Sequence, residues 1–162
     1  MSSSAIISPC GLYRYRLTRS WDNAGHMPDS PRRVCWIMLN PSTADAEQDD
    51  PTIRRCIRFS KAWGYDGMIV VNCFALRGTN PEDIQDSREA GVDPVGPEND
   101  AAITQAVNEC TLTICAWGTH AKYRGQKVVG MISRPQCLGL NRDGSPKHPL
   151  YLPASTKPRE FR

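Results

Sequence analysis

The sequence predicts an α/β fold with three layers, in which helices cover both faces of a central, mostly parallel four-stranded sheet. Three apolar runs, at 34–39, 68–71 and 112–117, are continuous rather than alternating, which is typical of strands buried on both faces. Segments with apolar residues at helical spacing separate these runs. Because strands and helices alternate along the chain, the strands are expected to run parallel.

The first element is predicted to be an N-terminal edge strand. Residues 13–17 alternate apolar and basic side chains, which indicates a strand with one buried face. Two interpretations of Arg14, Arg16 and Arg19 stay open. Their charges either block pairing with further strands, or they extend a path for nucleic acid.

The first helix is predicted to begin at Asp50-Pro51, because an acceptor side chain stands at the N-cap and proline at the first helical position. Apolar residues then recur at helical spacing until Gly64, which ends the helix. The remaining predicted elements are, in chain order, a short helix after 80–83, a helix over 101–108, a helix that ends at 128–132 and a short strand over 136–140.

The length of 162 residues suits a single domain, with a core from about residue 12 to 153 and a tail over 154–162. The net charge of +3 permits a phosphate-bearing partner without requiring one. The chain has no apolar run of about 18 residues, and its N-terminus lacks the features of a signal peptide, so no membrane partner is expected. The seven irregularly spaced cysteines favour reduced thiols in a cytoplasmic protein over a zinc or disulfide framework. No cofactor is expected.

Polar or glycine-containing loops follow the three buried strands. Asn40-Pro41-Ser42 follows the first strand, Asn72 the second and Gly118-Thr119-His120 the third. Ligands of open parallel sheets bind at the carboxyl ends of the strands, so these residues are expected to converge on one cleft. The amide of Asn72 offers one acceptor and two donors, which match the edge of a pyrimidine or a purine. The alternative is that Asn72 caps a turn.

Charged residues around the start of the first helix allow two interpretations each. Arg54 and Arg55 lie one turn into the helix, where a planar guanidinium suits phosphate, or they belong to a solvated helix face. The acidic residues before the helix hold a hard cation such as magnesium, or they cap the helix and favour its positive end. These residues are Asp45, Glu47, Asp49 and Asp50.

Seven motifs form a string that extends over most of the chain. They are 39–45 (Leu-Asn-Pro-Ser-Thr-Ala-Asp), 49–56 (Asp-Asp-Pro-Thr-Ile-Arg-Arg-Cys), 63–65 (Trp-Gly-Tyr), 71–72 (Val-Asn), 93–100 (Asp-Pro-Val-Gly-Pro-Glu-Asn-Asp), 116–118 (Ala-Trp-Gly) and 148–153 (His-Pro-Leu-Tyr-Leu-Pro). This string resembles the bacterial and phage family called domain of unknown function 1643. The resemblance extends from about Tyr13 to Pro153 and implies no activity.

The order of the motifs is also similar to that of the uracil-DNA glycosylase superfamily, whose fold is a parallel four-stranded α/β/α arrangement. Residues 38–41 (Met-Leu-Asn-Pro) resemble the loop after its first strand, whose asparagine positions the attacking water in some branches and matches Asn40. An asparagine at the end of its second strand reads the base edge and matches Asn72. A later His-Pro-Ser loop supplies a histidine to the oxygen of the departing base and matches His148, with Leu150 in place of the serine.

We therefore expect a protein that recognises a nucleobase, nucleoside or nucleotide and that hydrolyses or exchanges an N-glycosidic bond. The residues expected to act in catalysis are Asn40, His148 and Asp45, the acid nearest to the first loop. The residues expected to bind the ligand are Pro41, Ser42, Asn72, Gly118, His120, Arg54 and Arg55. One alternative is a non-catalytic module that binds a nucleotide or nucleic acid. Another is a metal-dependent phosphohydrolase that uses Asp45, Asp49 and Asp50.

Overall fold

The computed structural model describes residues 1–21, 31–42, 44–78 and 80–161. These residues form a mixed α/β fold with a seven-stranded sheet and four helices. The strands are β1 (Ser2–Ile7), β2 (Arg14–Ser20), β3 (Arg33–Met38), β4 (Gly67–Asn72), β5 (Leu112–Cys115), β6 (Pro135–Cys137) and β7 (Arg159–Glu160). The helices are α1 (Pro51–Ala62), α2 (Glu82–Glu89), α3 (Asn99–Glu109) and α4 (Tyr123–Val129).

The strands follow the order β1-β2-β4-β3-β5-β6-β7 across the sheet. The inner strands β4, β3, β5 and β6 pair in parallel. The outer strands pair antiparallel, with β1 on β2 and β2 on β4 at one side and β7 on β6 at the other. The carboxyl ends of the parallel strands therefore lie at one edge of the sheet, where ligands bind in open α/β folds.

The sheet is larger than the four strands and one edge strand that the sequence predicts. The prediction that 13–17 forms an edge strand is wrong, because β1 pairs outside β2. The six residues of β1 bury only Ala5 in part. The strand therefore carries no amphipathic pattern that a sequence could reveal, and backbone pairing holds it in place. At the other side, β7 lies within the segment 154–162 that the sequence predicts as a tail.

Helix α1 begins where the sequence predicts. The Asp50 carboxylate accepts a hydrogen bond from the Ile53 N–H at 2.8 Å, and Pro51 is the first helical residue. This start places the first turn of α1 beside the carboxyl edge of the parallel strands. At 12 residues α1 is the longest helix, and no helix among the described residues has both the length and the apolarity needed to cross a membrane.

Two hydrophobic clusters cover the two faces of the sheet. Along β3, Val34, Trp36 and Met38 belong to the cluster under α1, whereas Cys35 and Ile37 belong to the cluster under α2, α3 and α4. This alternation is the period of two residues of a strand. Burial on both faces explains why the run 34–39 is continuously apolar. The end of β4 consequently has one side toward α1 and another toward α3 and α4.

Five of the seven cysteines are buried, whereas Cys10 is exposed and Cys110 is partly buried. All seven are free thiols, and Cys73, directly after β4, is fully buried. Burial raises the pKa of Cys73 to about 12, although the charge of Arg124 opposes this shift. The thiol of Cys73 therefore stays protonated at neutral pH, and Cys73 packs within the cluster under α3 and α4.

Candidate functional site

A cavity of about 560 Å³ opens at the carboxyl edge of the parallel strands. Met38, Val70 and Ile53 form part of its wall, which places the cavity on the side of the sheet that faces α1. The lining also contains the strand-end residues Asn40, Ser42, Asn72, Gly118 and His120, together with His148 from a later loop. Side chains that are far apart in the sequence thus share one space, whose volume suits a small-molecule ligand.

Asn72 lines this cavity at the end of β4, although only 1% of its surface is exposed. Both Oδ1 and Nδ2 of its amide are buried, and neither has a hydrogen-bond partner among the described residues. A polar group left buried and unpaired costs about 1–3 kcal/mol, so native proteins contain few of them. The amide of Asn72 caps no turn in this part of the chain and presents a free donor beside a free acceptor.

The backbone at the end of β4 is fixed from the opposite side of the sheet. Nδ2 of Asn99, in α3, donates hydrogen bonds to the carbonyl oxygens of Asn72 and Cys73 at 2.9 and 3.1 Å. Nε of Arg124, in α4, donates to the Cys73 carbonyl at 2.7 Å, and Nη2 of Arg124 lies 2.7 Å from Oδ1 of Asp100. These contacts hold the backbone of Asn72 in position while its side chain remains unpaired.

Arg14, in β2, also lines the cavity and is only 2% exposed. Its Nη1 donates a hydrogen bond to the Ala44 carbonyl at 2.6 Å, whereas its Nε is buried without a partner in the described ranges. Burial lowers the pKa of Arg14 to about 10, although the carboxylate of Asp50 opposes this shift. The guanidinium therefore remains positively charged at neutral pH.

The imidazole of His148 is half-buried in the cavity wall. Its Nδ1 accepts a hydrogen bond from the Leu150 N–H at 3.1 Å, which assigns the proton of the neutral ring to Nε2. Burial lowers the pKa of His148, and Asp50 opposes the shift. At neutral pH the ring is therefore uncharged and offers Nε2–H as a donor.

Asn40 and Gly118 shape two of the loops around the cavity. Nδ2 of Asn40 donates to the Gly78 carbonyl at 3.2 Å, which orients Oδ1 of Asn40 as an acceptor. Pro41 lies outside the lining, and its carbonyl accepts a hydrogen bond from the Gly78 N–H at 3.0 Å. Gly118 has a φ of +75°, a conformation that favours glycine. The Gly118 N–H donates to the Pro146 carbonyl at 3.0 Å, which ties the loop after β5 to the segment that carries His148.

Arg54 and Arg55 do not line this cavity. They face a neighbouring cleft of about 370 Å³ on the outer side of α1. Nη1 of Arg54 donates to the Asp49 carbonyl at 2.8 Å. Leu150 and Leu152 line both spaces, so these two leucines stand between the arginines and the cavity that contains Asn72.

Asp45 lies outside the cavity lining as well. Oδ1 of Asp45 accepts hydrogen bonds from the N–H groups of Glu47 and Gln48 at 2.8 and 2.9 Å. These bonds close a local turn and lower the pKa of Asp45. The acid that does line the cavity is Asp50, the N-cap of α1. Closeness to the first loop in sequence therefore does not bring Asp45 to the cavity.

Three of the four acidic residues before α1 form hydrogen bonds within the protein. Oδ1 of Asp49 accepts a hydrogen bond from Nε of the buried Arg19 at 2.8 Å. Asp50 caps α1, and Asp45 closes its own turn. Over residues 1–21, 31–42, 44–78 and 80–161, no three His, Cys, Asp or Glu side chains are grouped in a way that could hold a metal ion.

Some polar residues of the lining are not in the site that the sequence predicts, and they include Arg14, Thr52, Asn141 and Lys147. The sequence offers Arg14 only as part of a path for nucleic acid. Lys147 directly precedes the His-Pro motif, and that adjacency is a signal available in the sequence. Arg14 is missed because alternate residues of a half-buried strand are expected to face solvent, whereas the guanidinium of Arg14 contacts the backbone of Ala44. A basic residue buried in this way needs a partner.

Comparison with known proteins identifies a family over most of the chain. Residues 14–150 match the family described as Protein of unknown function (DUF1643). No curated protein and no solved structure matches the chain. The matched range contains the whole cavity lining except Leu152.

Proposed function

Because the chain belongs to the family described as Protein of unknown function (DUF1643), which assigns no activity, we propose a function from the cavity itself. The protein recognises a ligand that contains a nucleobase, whose edge forms hydrogen bonds with the amide of Asn72. The ligand is a nucleobase, nucleoside or nucleotide, either free or within a nucleic acid.

The unpaired amide of Asn72 carries this proposal. A primary amide presents a donor beside an acceptor, and each common nucleobase has an edge with the complementary pair. Such an edge would satisfy both Oδ1 and Nδ2 of Asn72, which are buried without partners among the described residues. Because each of these atoms has less than 1 Å² of accessible area, contact with a ligand requires a small displacement of the surrounding side chains.

The remainder of the lining suits a planar ring. Met38, Val70, Trp117 and Leu152 contribute apolar surface around a small number of polar groups, which is the usual composition of a small-molecule site. The volume of about 560 Å³ lies inside the usual range for ligand sites, about 300–1,000 Å³. A nucleoside or a nucleotide fits this range.

We propose in addition that the chain is related to the uracil-DNA glycosylase superfamily. The motif order supports this relation, with the loop 38–41 after β3, Asn72 at the end of β4 and His148 in a later loop. The parallel pairing of β4, β3, β5 and β6 also supports it. In this relation the inner strands and the helices correspond to the three-layer core, and β1, β2 and β7 are additions to it.

Hydrolysis of an N-glycosidic bond is the reaction that these residues suit best. In this reaction the oxygen of a water molecule bonds to C1′ of the sugar, and the C–N bond breaks. The electron pair of the C–N bond leaves with the base, the water loses one proton as it becomes the hydroxyl on C1′, and the base takes up one proton. The Nε2–H of neutral His148 is a donor suited to the negative charge on the base, and Oδ1 of Asn40 is an acceptor suited to orienting the water.

A non-catalytic binding module is the second candidate function. Leu150 favours it, because this apolar side chain lines the cavity where the superfamily has a serine. The site gives less support to a metal-dependent phosphohydrolase, since Asp45 and Asp49 are engaged elsewhere and only Asp50 of that set lines the cavity.

Isothermal titration with the common nucleosides and their 5′-monophosphates, up to millimolar concentration, tests recognition. We expect saturable binding of at least one compound and a loss of about tenfold or more in Asn72→Leu. Asn108→Ala, at an exposed position of α3, is the matched control and keeps the wild-type affinity. Absence of binding to wild type, or equal affinity in Asn72→Leu, contradicts the proposal.

Release of free base separates the two candidate functions. Nucleosides, nucleotides and short single-stranded oligonucleotides are incubated with the protein, and the released base is measured by chromatography. Release that is lost in both Asn40→Ala and His148→Ala identifies a hydrolase. Binding without release, by a chain that passes the titration test, identifies a binding module.

A further inference from the structure

Resting on the function proposed above, we infer that the base-bearing ligand carries a phosphate group and that the buried guanidinium of Arg14 binds this phosphate. The cavity then has two recognition points, the amide of Asn72 for the base and Arg14 for the anion. Both residues line the same space of about 560 Å³.

Arg14 differs from two other buried arginines in its contact with carboxylates. Arg14, Arg19 and Arg124 are all buried, with exposed fractions of 2%, 1% and 8%. Nε of Arg19 lies 2.8 Å from a carboxylate oxygen of Asp49, and Nη2 of Arg124 lies 2.7 Å from one of Asp100. Within the described ranges no carboxylate lies at salt-bridge distance from Arg14. Of the three, Arg14 alone is a buried cation without an anion in contact.

Part of the Arg14 guanidinium also lacks a hydrogen-bond partner. Nη1 donates to the Ala44 carbonyl, while Nε is buried and unpaired among the described residues. The group is positively charged at neutral pH even though burial lowers its pKa to about 10. Removal of a charge from water costs several kcal/mol unless a counter-charge compensates for it. The carboxylate of Asp50 compensates part of this cost without contacting Arg14, and an anion in the cavity would supply a counter-charge in direct contact.

The charge of the lining favours an anion rather than a neutral ligand. Apart from histidines, its acidic and basic side chains are Arg14, Lys147 and Asp50, and the Asp50 carboxylate already accepts the N-cap bond of α1. A guanidinium presents its N–H groups in a planar fork that matches two oxygens of a phosphate. Nucleotides and nucleic acids carry this group at a short distance from the base, whereas free nucleobases and nucleosides lack it.

Titration of the wild-type chain decides whether the phosphate matters. For the base that binds best, affinities are measured for the nucleoside, its 5′-monophosphate, a short single-stranded oligonucleotide of that base, and inorganic phosphate. The monophosphate or the oligonucleotide is expected to bind about 10- to 100-fold more tightly than the nucleoside, because a hydrogen bond to a charged group contributes about 1.5–3 kcal/mol. The advantage should shrink as salt is added. Tighter binding of the oligonucleotide assigns the phosphate to nucleic acid, and tighter binding of the monophosphate assigns it to a free nucleotide.

Two variants of the same strand locate the effect. In Arg14→Met the ratio between the affinities for the phosphorylated ligand and the nucleoside should fall toward one. Arg16→Met is the matched control, because Arg16 pairs with Glu109 at 2.6 Å and does not line the cavity. The wild-type ratio should persist in that variant. Where Arg14→Met fails to fold, the wild-type ratio and its salt dependence decide by themselves.

Equal affinity of wild type for the nucleoside and both phosphorylated ligands overturns the inference about Arg14 and leaves base recognition intact. A ratio that is unchanged in folded Arg14→Met also overturns it. Absence of binding to every base-containing compound overturns the proposed function, and the inference with it. The two failures are therefore distinguishable in one set of titrations.

Discussion

The end of β4 has an asparagine and an arginine on each side of the sheet, and the two pairs differ in their contacts with the backbone of the strand end. On the side of α3 and α4, Asn99 donates to two backbone carbonyls, and Arg124 contacts a carbonyl and a carboxylate. On the side of α1, the amide of Asn72 has no partner and Arg14 has one carbonyl partner among the described residues. Oδ1 of Asn99 is also unpaired there, and Nη2 of Arg124 contacts a carboxylate without forming a hydrogen bond, so the contrast lies in the donors that hold the carbonyls of residues 72 and 73.

This contrast separates groups that build the strand end from groups that the fold leaves available. Asn99 and Arg124 compensate the carbonyls of residues 72 and 73, which the end of the sheet would otherwise leave unpaired. The side chains of Asn72 and Arg14 pair with no carbonyl of the strand end, and each contains at least one buried polar atom without a partner among the described residues. Unpaired polar groups that line a cavity are typical of a binding site held ready for a ligand.

The largest effect is expected when the two arginines are compared. Arg124→Met should lower the free energy of unfolding by about 3 kcal/mol, because it removes a charged hydrogen bond and leaves the Cys73 carbonyl buried without that donor. Arg14→Met should change it by less than about 1 kcal/mol, because a lost hydrogen bond is offset by the removal of a buried charge that no described carboxylate contacts. Urea unfolding measures both. An Arg14→Met variant as unstable as Arg124→Met would make Arg14 a structural residue.

The two asparagines should differ in the same direction by a smaller amount. Asn99→Leu should lower the free energy of unfolding by about 2 kcal/mol, since two carbonyls lose their shared donor. Asn72→Leu should leave stability unchanged or raise it by up to about 1 kcal/mol, since it removes two unpaired buried atoms. Thermal and urea unfolding of the unliganded variants test this pair. A strong destabilisation by Asn72→Leu would show that its amide belongs to the fold.

The pH dependence of the free energy of unfolding tests whether His148, in the cavity wall, is buried. Burial lowers the pKa of His148 in the folded chain below its ordinary value of 6.5. At a pH between these two pKa values, the unfolded chain therefore binds more protons than the folded chain. The free energy of unfolding should therefore fall as the pH drops below the ordinary histidine pKa, and this loss should level off below the folded pKa. In His148→Gln the loss between neutral and mildly acidic pH should be smaller than in wild type. Identical pH profiles would contradict the shift.

The smallest effect is expected at the neighbouring cleft. The double substitution Arg54→Gln with Arg55→Gln should change the affinity of a mononucleotide by less than about twofold, because these arginines do not line the cavity. Titration at constant salt measures this change. A tenfold loss would move the phosphate contact from Arg14 to the start of α1.

Part of this site follows from the sequence through one rule, that polar residues after buried parallel strands meet at one edge. Asn40, Asn72, Gly118 and His120 share the cavity because they end or follow strands whose apolar runs are evident. The position of α1 follows from Asp50-Pro51 in the same way. In each case a local pattern determines where the side chain lies.

The residues that the sequence misplaces depend on contacts that have no local pattern. Arg14 is buried where its guanidinium meets the backbone of Ala44, which lies 30 residues further along the chain. Asp45 turns away because its carboxylate meets the N–H groups of residues 47 and 48 instead of facing the first loop. A contact distant in sequence decides the position of Arg14 and a turn closure decides that of Asp45, and the periodicity of the residues predicts neither.

The side-chain amide protons of Asn72 test the central claim most directly. In a nitrogen-15-labelled chain, the Nδ2 signals of Asn72 and Asn99 are assigned by their loss in Asn72→Leu and Asn99→Leu, and a nucleoside 5′-monophosphate is then added to saturation. If the amide of Asn72 reads a base, its signals should shift and exchange more slowly with solvent, while those of Asn99 remain in place. Signals of Asn72 that stay unchanged with every common base, at concentrations that saturate the protein, would contradict it.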